Sequence, residues 1–577
     1  MEKASPGRYE IRLVELRPAT ERERALHQAN DFYKQYARLK DEGKDLEARA
    51  ALLQCLEIRE KELGPDHLAV ADTLGFVSTS YASTGDYANA ELYQLRAVRI
   101  KEKALGPDDP AVAEELAGLG VMYRDKNDYV KAEEVQRRAW SILEKAQLTG
   151  TTTAALLLQN LGGEEFDMGH YQSAEDYYQR AHAVLQKTFG PDHFHLASSF
   201  TFLGRVAYLQ GDYAKAETLF QKALTLAEKS LGSDHSVTTK YRNDVAMVYC
   251  TTGDYARGEA LYEKSLAAHE QRGSMSYPAV PITLFGLARC LAAQGNWPEA
   301  VKFQSQASEI AEHYVAINIA TGSEREKQAF LADLSLRASR NISLQTQLAH
   351  GDPTALDLAV TTVLQNKGRV QDAVSNSLSA LQQRLGPQDD HKLLEQLRDL
   401  NSRLAKLVLN GPQRMTPADY QQRIKALEDQ REQLEAEMNR RTAGFYEGQK
   451  PVTLSAIQAA IPENGALIEF AVYQPFDPKA PDNENAYGTP HYVVYVVRNQ
   501  GEVQWQDLGE ARAIDEAVDR LRQALRDAQR QDVRQLARAV DVQIMQPVRA
   551  LAGDARHLLV SPDGELNLIP FEALVDE

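Results

Sequence analysis

A turn that returns every 42 residues constrains this chain more than any other feature. Gly85-Asp86-Tyr87 recurs as Asn127-Asp128-Tyr129, Gly169-His170-Tyr171, Gly211-Asp212-Tyr213, Gly253-Asp254-Tyr255 and Gly295-Asn296-Trp297, and one step back lies Gly43, so seven turns share one frame. Five residues after each turn comes a small residue: Ala48, Ala90, Ala132, Ala174, Ala216, Gly258 and Ala300. Seven further on lie Cys55, Ala97, Ala139, Ala181, Ala223, Ser265 and Ala307, and seven before the turn lie Ser78, Gly120, Gly162, Gly204, Ala246 and Ala288. A second turn, Gly-Pro-Asp, falls at Gly64, Gly106 and Gly190, with Gly232-Ser233-Asp234 as a variant.

Glycine and Asn accept the left-handed backbone that ends a helix, and Pro-Asp opens the next one. The stretches between turns run to about 15 residues with helical spacing, too long for strands. Small residues at facing positions let two antiparallel helices approach closely. A single hairpin cannot bury its apolar stripe, so copies must stack into an α-solenoid. The combination of small residue, Gly-Asp-Tyr, Ala and aromatic resembles the tetratricopeptide repeat. The period and the Leu-Gly-Pro-Asp-His linker resemble the long-repeat variety of kinesin light chains.

The totals narrow the function classes. At 577 residues the chain has room for more than one domain. Its 82 acidic and 65 basic residues leave a net charge of -17, which opposes general binding to nucleic acid or anionic membrane. Three cysteines without paired spacing predict no disulfide framework and no zinc site, and suit a cytoplasmic protein. No apolar run reaches membrane-spanning length.

In chain order, residues 1–20 read as a leader, 21–315 as seven repeats, 316–450 as a helical connector and 451–577 as an α/β segment. Two stretches break the repeat pattern, Gln147 to Thr153 and Gln271 to Pro281, and each is expected to change the superhelix locally or expose a loop. Within the connector, Ala329–Leu348 and Leu356–Leu385 read as helices, and Lys367 with Arg369 could hold an anion or pair on a helix surface. A helical hairpin follows, one stripe being Leu393, Leu397, Leu400, Leu404 and Leu407 and the other Ile424, Leu427, Leu434 and Met438. Strands are expected at 466–473, 492–497, 503–505 and 557–560, helices at 512–528 and 531–551, and Gln474 to Pro490 reads as a mobile connection.

Lys367-Gly368-Arg369, the strand Leu467-Ile468-Glu469-Phe470, Leu559-Val560-Ser561-Pro562-Asp563-Gly564 and Leu568-Ile569-Pro570-Phe571-Glu572-Ala573-Leu574 resemble the opening of a CHAT domain. CHAT domains are caspase-like cysteine peptidase domains often joined to tetratricopeptide repeats. The resemblance spans about 355–577 and implies a peptidase controlled by the array, in bacterial signalling or defence. It also places the catalytic His and Cys after the Pro-Phe-Glu-Ala-Leu piece, so this chain by itself is expected to be inactive. The sheet edge near residue 577 should then leave backbone groups and apolar surface exposed, and the missing part of the domain is a possible partner.

No cysteine follows Cys290, and Cys55, Cys250 and Cys290 fall where repeat helices call for a small buried residue. His491 and His557 therefore have no thiol partner in their own segment. His67, His193 and His235 repeat in the linkers and read as turn residues, and the close pair His193 and His195 is weak evidence for metal. No catalytic residue, metal site or cofactor follows from the sequence. The expected fold class is mainly α, an α-solenoid of helix hairpins followed by a helical spacer and a partial caspase-like α/β domain. An array of this kind presents a concave groove to a protein or peptide ligand. By repeat position the groove-facing candidates are Arg124, Asn160, Arg205, Tyr208, Asn243 and Arg289, residue types that suit extended peptide and acidic groups. The alternative is a purely non-catalytic interaction scaffold with a degenerate CHAT module.

Overall fold

The computed structural model describes residues 19–367 apart from 42–44, 84–85, 126–127, 273–278 and 322–323, scattered positions from 392 to 437, and 452–574 apart from 481–485 and 528. Fourteen helices form seven consecutive hairpins. They are α1 (Glu21–Asp41) with α2 (Asp45–Leu63), α3 (Leu68–Ala82) with α4 (Tyr87–Leu105), α5 (Pro110–Asp125) with α6 (Tyr129–Lys145), and α7 (Thr152–Asp167) with α8 (Tyr171–Phe189). Then come α9 (Leu196–Leu209) with α10 (Tyr213–Leu231), α11 (Ser236–Thr251) with α12 (Tyr255–Gln271), and α13 (Ala279–Gln294) with α14 (Trp297–Thr321).

The two recurring turns work as the residue types require. Gly64, Gly106, Gly190 and Gly232 at one end, and Gly169, Gly211, Gly253 and Gly295 at the other, hold φ between 80° and 96°. Only glycine adopts that region without strain. In the Gly-Asp-Tyr turn the Asp is the N-cap: Asp86, Asp128, Asp212 and Asp254 accept the backbone N–H of Asn89, Lys131, Lys215 and Arg257. Two of the linker histidines, His67 and His235, cap their first helices in the same way. His67 and His235 accept from the N–H of Ala69 and Val237 through Nδ1, and His193 accepts from that of His195. The ring of His193 also stacks on Phe189 at 4.6 Å. At the first pattern break Gln147 takes the left-handed turn itself, with φ 59°. The second break lies largely outside the described residues, as do Gly43, Gly85 and Asn127 themselves.

The small residues of the frame are where helices touch. Ala90, Ala132, Ala174, Ala216 and Ala300 are fully buried. At Gly204 an added Cβ would lie 2.6 Å from Cε1 of Phe220, and at Gly162 it would lie 2.7 Å from Cε1 of Tyr178. A Gly204→Ala variant is therefore expected to be less stable, because overpacking against the buried Phe220 costs about 1–3 kcal/mol and outweighs a helix-propensity gain of about 1 kcal/mol. Urea denaturation checks this, and an unchanged or higher midpoint would mean that the ring yields.

Consecutive first helices also pack on one another, α5 on α7, α7 on α9, α9 on α11 and α11 on α13, whereas the second helices stay further apart. The first helices therefore line the concave side. The two cysteines expected to be separate buried thiols are joined: Cys250 of α11 and Cys290 of α13 form a disulfide with Cα atoms 5.3 Å apart. Their separation of 40 residues is nearly one repeat, so the packing of neighbouring first helices brings them together. Cys55 remains a free, buried thiol, pushed up in pKa by that burial.

Beyond the array come α15 (Glu324–Ser343), a π turn at Leu344–Leu348, α16 (Pro353–Asn366) and a short α17 (Leu454–Ala460). Of the expected helical hairpin, the described positions are helical, and Leu400, Leu407, Leu427 and Leu434 pack together. A four-stranded sheet follows, built from β1 (Gly465–Tyr473), β2 (His491–Arg498), β3 (Gln504–Glu510) and β4 (His557–Ser561) in the order β3-β2-β1-β4. β1 is antiparallel to β2 and parallel to β4, with Leu467 opposite Leu559, and β2 is antiparallel to β3.

One sheet face carries Ile468, Phe470, Val494 and Val496 against α18 (Ala511–Leu525) and α19 (Val533–Ala552). The other carries Tyr473, Val493, Tyr495 and Val497 against Ile342 of α15 and Val360 and Val363 of α16. Burial on both faces explains the unbroken apolar run of β2. β4 is an edge strand of this sheet, and there Leu558 and Leu559 are 36 % and 48 % exposed.

Lys367, read as an anion binder or a surface ion pair, instead bridges from the end of α16 to the sheet. Its Nζ lies 2.5 Å from Oε1 of Glu469 in β1 and donates to the carbonyls of Ser561 and Pro562. Glu469 is buried, which raises its carboxyl, while Lys367 and Ser561 pull it back down. Arg369 lies outside the described residues.

Candidate functional site: the concave face of the array

A hollow of about 340 Å³ lies between α5, α7 and α9, with Tyr129 of α6 and Tyr178 of α8 also lining it. Arg124 and Arg205 stand on its rim, and Phe166, Tyr178 and Phe202 supply apolar walls. Arg124 comes from the last turn of α5 and is seated over Gly163, where a Cβ would lie 2.4 Å from its Nη1. Its Nε is 3.9 Å from Oδ2 of Asp167. Tyr178 stacks on Phe202 with ring centroids 4.9 Å apart. Arg205 reaches across to Asp244 of the next repeat at 3.1 Å, with the arginine side chain 47 % and the aspartate 9 % exposed. Burial pushes the Asp244 carboxyl up, and the Arg205 guanidinium offsets this. The hollow thus sets aromatic walls beside two guanidinium groups, each already opposite a carboxylate of the array, Asp167 and Asp244.

The remaining sequence candidates occupy the same row of helices but differ in access. Asn160 of α7 is buried, and its amide donates to the carbonyl of Ala117 at 3.4 Å. Asn243 of α11 donates to Oγ1 of Thr283 at 2.7 Å. Tyr208 of α9 is buried and shares a 2.6 Å hydrogen bond with Oγ1 of Thr251. Arg289 of α13 donates to Tyr208 Oη at 3.2 Å and to Thr251 Oγ1 at 3.0 Å. Those contacts tie one repeat to the next, at sequence separations close to one or two periods.

Residues missing from the sequence list complete the face. Phe166, Tyr178 and Phe202 line the hollow. Their aromatic character was visible in the sequence, but their meeting depends on superhelix curvature. Glu164, next in the chain to Gly163 of the lining, is 2 % exposed, and burial together with Glu133 raises its carboxyl to about 8. In the α/β part, His491 faces Asp507 at 3.3 Å and His557 is exposed. Among the described residues no group of acidic, His and Cys side chains could hold a metal ion, and no helix is long and apolar enough to cross a membrane.

Known families match both parts of the chain. Tetratricopeptide repeats match at residues 37–103, 79–145, 152–229 and 236–313, and the CHAT domain matches at 534–577. No curated protein matches the chain. Among solved structures, BtubC (BKLC) from P. vanneervenii is 18 % identical over 44 % of this chain and 93 % of its own, with a TM-score of 0.31. A putative kinesin light chain from Podosopora anserina with nearly identical TPR-like repeats is 19 % identical over 36 % and 97 %, with a TM-score of 0.29. The apo form of RapI is 16 % identical over 49 % and 97 %, with a TM-score of 0.38.

Proposed function

From a chain that carries a tetratricopeptide-repeat array and CHAT-domain sequence, we propose a receptor-scaffold that takes an extended acidic peptide on its concave face. The observation that carries this is the hollow at Arg124 and Arg205, where guanidinium groups border an aromatic-walled cavity on the row of first helices. Buried arginine and aromatic anchors are the groups that dominate peptide affinity. The net charge of -17 opposes acidic ligands in general, so attraction for this peptide has to come from the local arginines. By its CHAT-domain likeness the α/β part is a caspase-like module without a cysteine of its own, and the array would control the cysteine peptidase activity of a complete CHAT domain in bacterial signalling or defence.

The test uses the full chain and an array of fluorescent heptapeptides that pair one aromatic residue with one or two acidic ones. Arg124→Gln should weaken the best binders at least about tenfold, as loss of a hot-spot arginine does. Arg124 is the better probe, since removing Arg205 would strand Asp244. Equal affinity in the variant, or no binding by any acidic–aromatic peptide, would sink the assignment.

A further inference from the structure

The far end of the concave face already has an occupant. The described residues between β1 and β2, 474–480 and 486–490 of a stretch expected to be a mobile connection, are folded onto the array. The two arms pair through an antiparallel bridge between Phe476 and Tyr487, with ring centroids 5.2 Å apart. Arg289, one of the groove candidates, donates from Nε to the carbonyl of Pro478 at 3.3 Å. Phe476, 7 % exposed, faces Phe285 of the same helix α13 at 6.4 Å. Arg340 of α15 lies 4.1 Å over the Phe285 ring and donates to Tyr487 Oη at 2.7 Å. Ser343 holds the base of the segment, accepting from the N–H of Phe476 at 2.9 Å.

We propose that Phe476-Asp477-Pro478 is a ligand held in cis by the last repeats, and that this end of the groove recognises an extended segment with an aromatic anchor two residues before the carbonyl that Arg289 binds. The proposal rests on the receptor reading above and deepens it. An arginine that receives a backbone carbonyl, beside an aromatic shelf, is a recognition unit for extended backbone with one ring as anchor. A partner presenting the same chemistry competes with the resident segment. Because Tyr473 at the end of β1 is only three residues from Phe476, displacement would act directly on the sheet. The array and the α/β part are thereby coupled through one exchangeable contact, and a partner of higher affinity than the resident shifts the equilibrium.

The experiment replaces Phe476 in the full chain with a photoreactive benzophenone analogue of phenylalanine and maps the crosslinks by mass spectrometry. Crosslinks should concentrate on residues 285–289 and 340, and should fall when a synthetic peptide of residues 474–490 is added in excess. In parallel, the labelled 474–490 peptide should bind a Phe476→Ala/Tyr487→Ala chain about tenfold more tightly than the unaltered chain, the change expected if the resident holds the site nine-tenths of the time. Crosslinks scattered over the surface, or undiminished by the peptide, overturn the proposal. So does equal affinity in a double variant that retains its helical circular dichroism. If the acidic heptapeptides bind at Arg124 while these signals fail, only the resident-ligand inference is lost. If the heptapeptides fail while the crosslinks compete, only the Arg124 site is lost.

Discussion

Replacing Lys367 with methionine should destabilise the α/β part by about 3 kcal/mol at neutral pH, the order of loss when one partner of a buried ion pair is removed. Glu469 is 4 % exposed at its side chain and Lys367 only 24 %, so solvent does little to screen the pair. Methionine fills the volume but leaves the carboxylate without its cation and the carbonyls of Ser561 and Pro562 without their donor. The pH dependence has a definite sign. Burial already holds the Glu469 carboxyl above its usual range in the folded chain, and losing Lys367 raises it further. The folded variant then keeps a proton that the unfolded chain releases, so its stability falls as pH rises through and above the carboxylate range. The deficit should shrink in mild acid, where Glu469 is neutral. Guanidinium unfolding followed by Trp505 fluorescence at pH 5 and pH 8 measures it. A deficit independent of pH would mean that packing, not charge, is what Lys367 supplies.

Glu164→Gln should act in the opposite direction. Glu164 is buried in α7 with its Oε1 unpaired among the described residues, and its carboxyl is raised to about 8 by burial first and by Glu133 second. Folding therefore retains a proton between the ordinary value of 4.5 and about 8. Stability falls across that window as pH rises, by up to about 5 kcal/mol if the whole shift is realised at about 1.4 kcal/mol per unit. Glutamine removes the titration while keeping the shape. Thermal melts of the two chains should coincide near pH 5 and diverge in favour of the variant by pH 9. Parallel profiles would show that the carboxyl finds water or a counter-charge on ionising.

Much of the array was legible without coordinates. The phase of Gly-Asp-Tyr marks where a left-handed glycine and an Asp N-cap must fall, and both are local demands of helix ends. The small-residue positions likewise follow from close helix contact. The sheet was readable as strands, since Leu467–Phe470 and Tyr492–Val497 are β-rich and too short for helices. The candidate site was less legible. Arg124 and Arg205 do border one hollow, but Asn160 and Tyr208 are buried in contacts between helices. Repeat position gives the face a residue is on; how deep its side chain sits depends on the curvature between neighbouring hairpins.

What the amino-acid order determined alone is periodic and local: where each helix begins and ends, which positions must be small, and that copies must stack. Only the tertiary structure decided the pairings across distance. Cys250 meets Cys290, Lys367 meets Glu469, and Arg289 meets Pro478. The physical reason is one of range. Caps and turns are set by interactions within a few residues, whereas these partners lie 40 to 189 residues apart and meet only once the superhelix and the sheet are built.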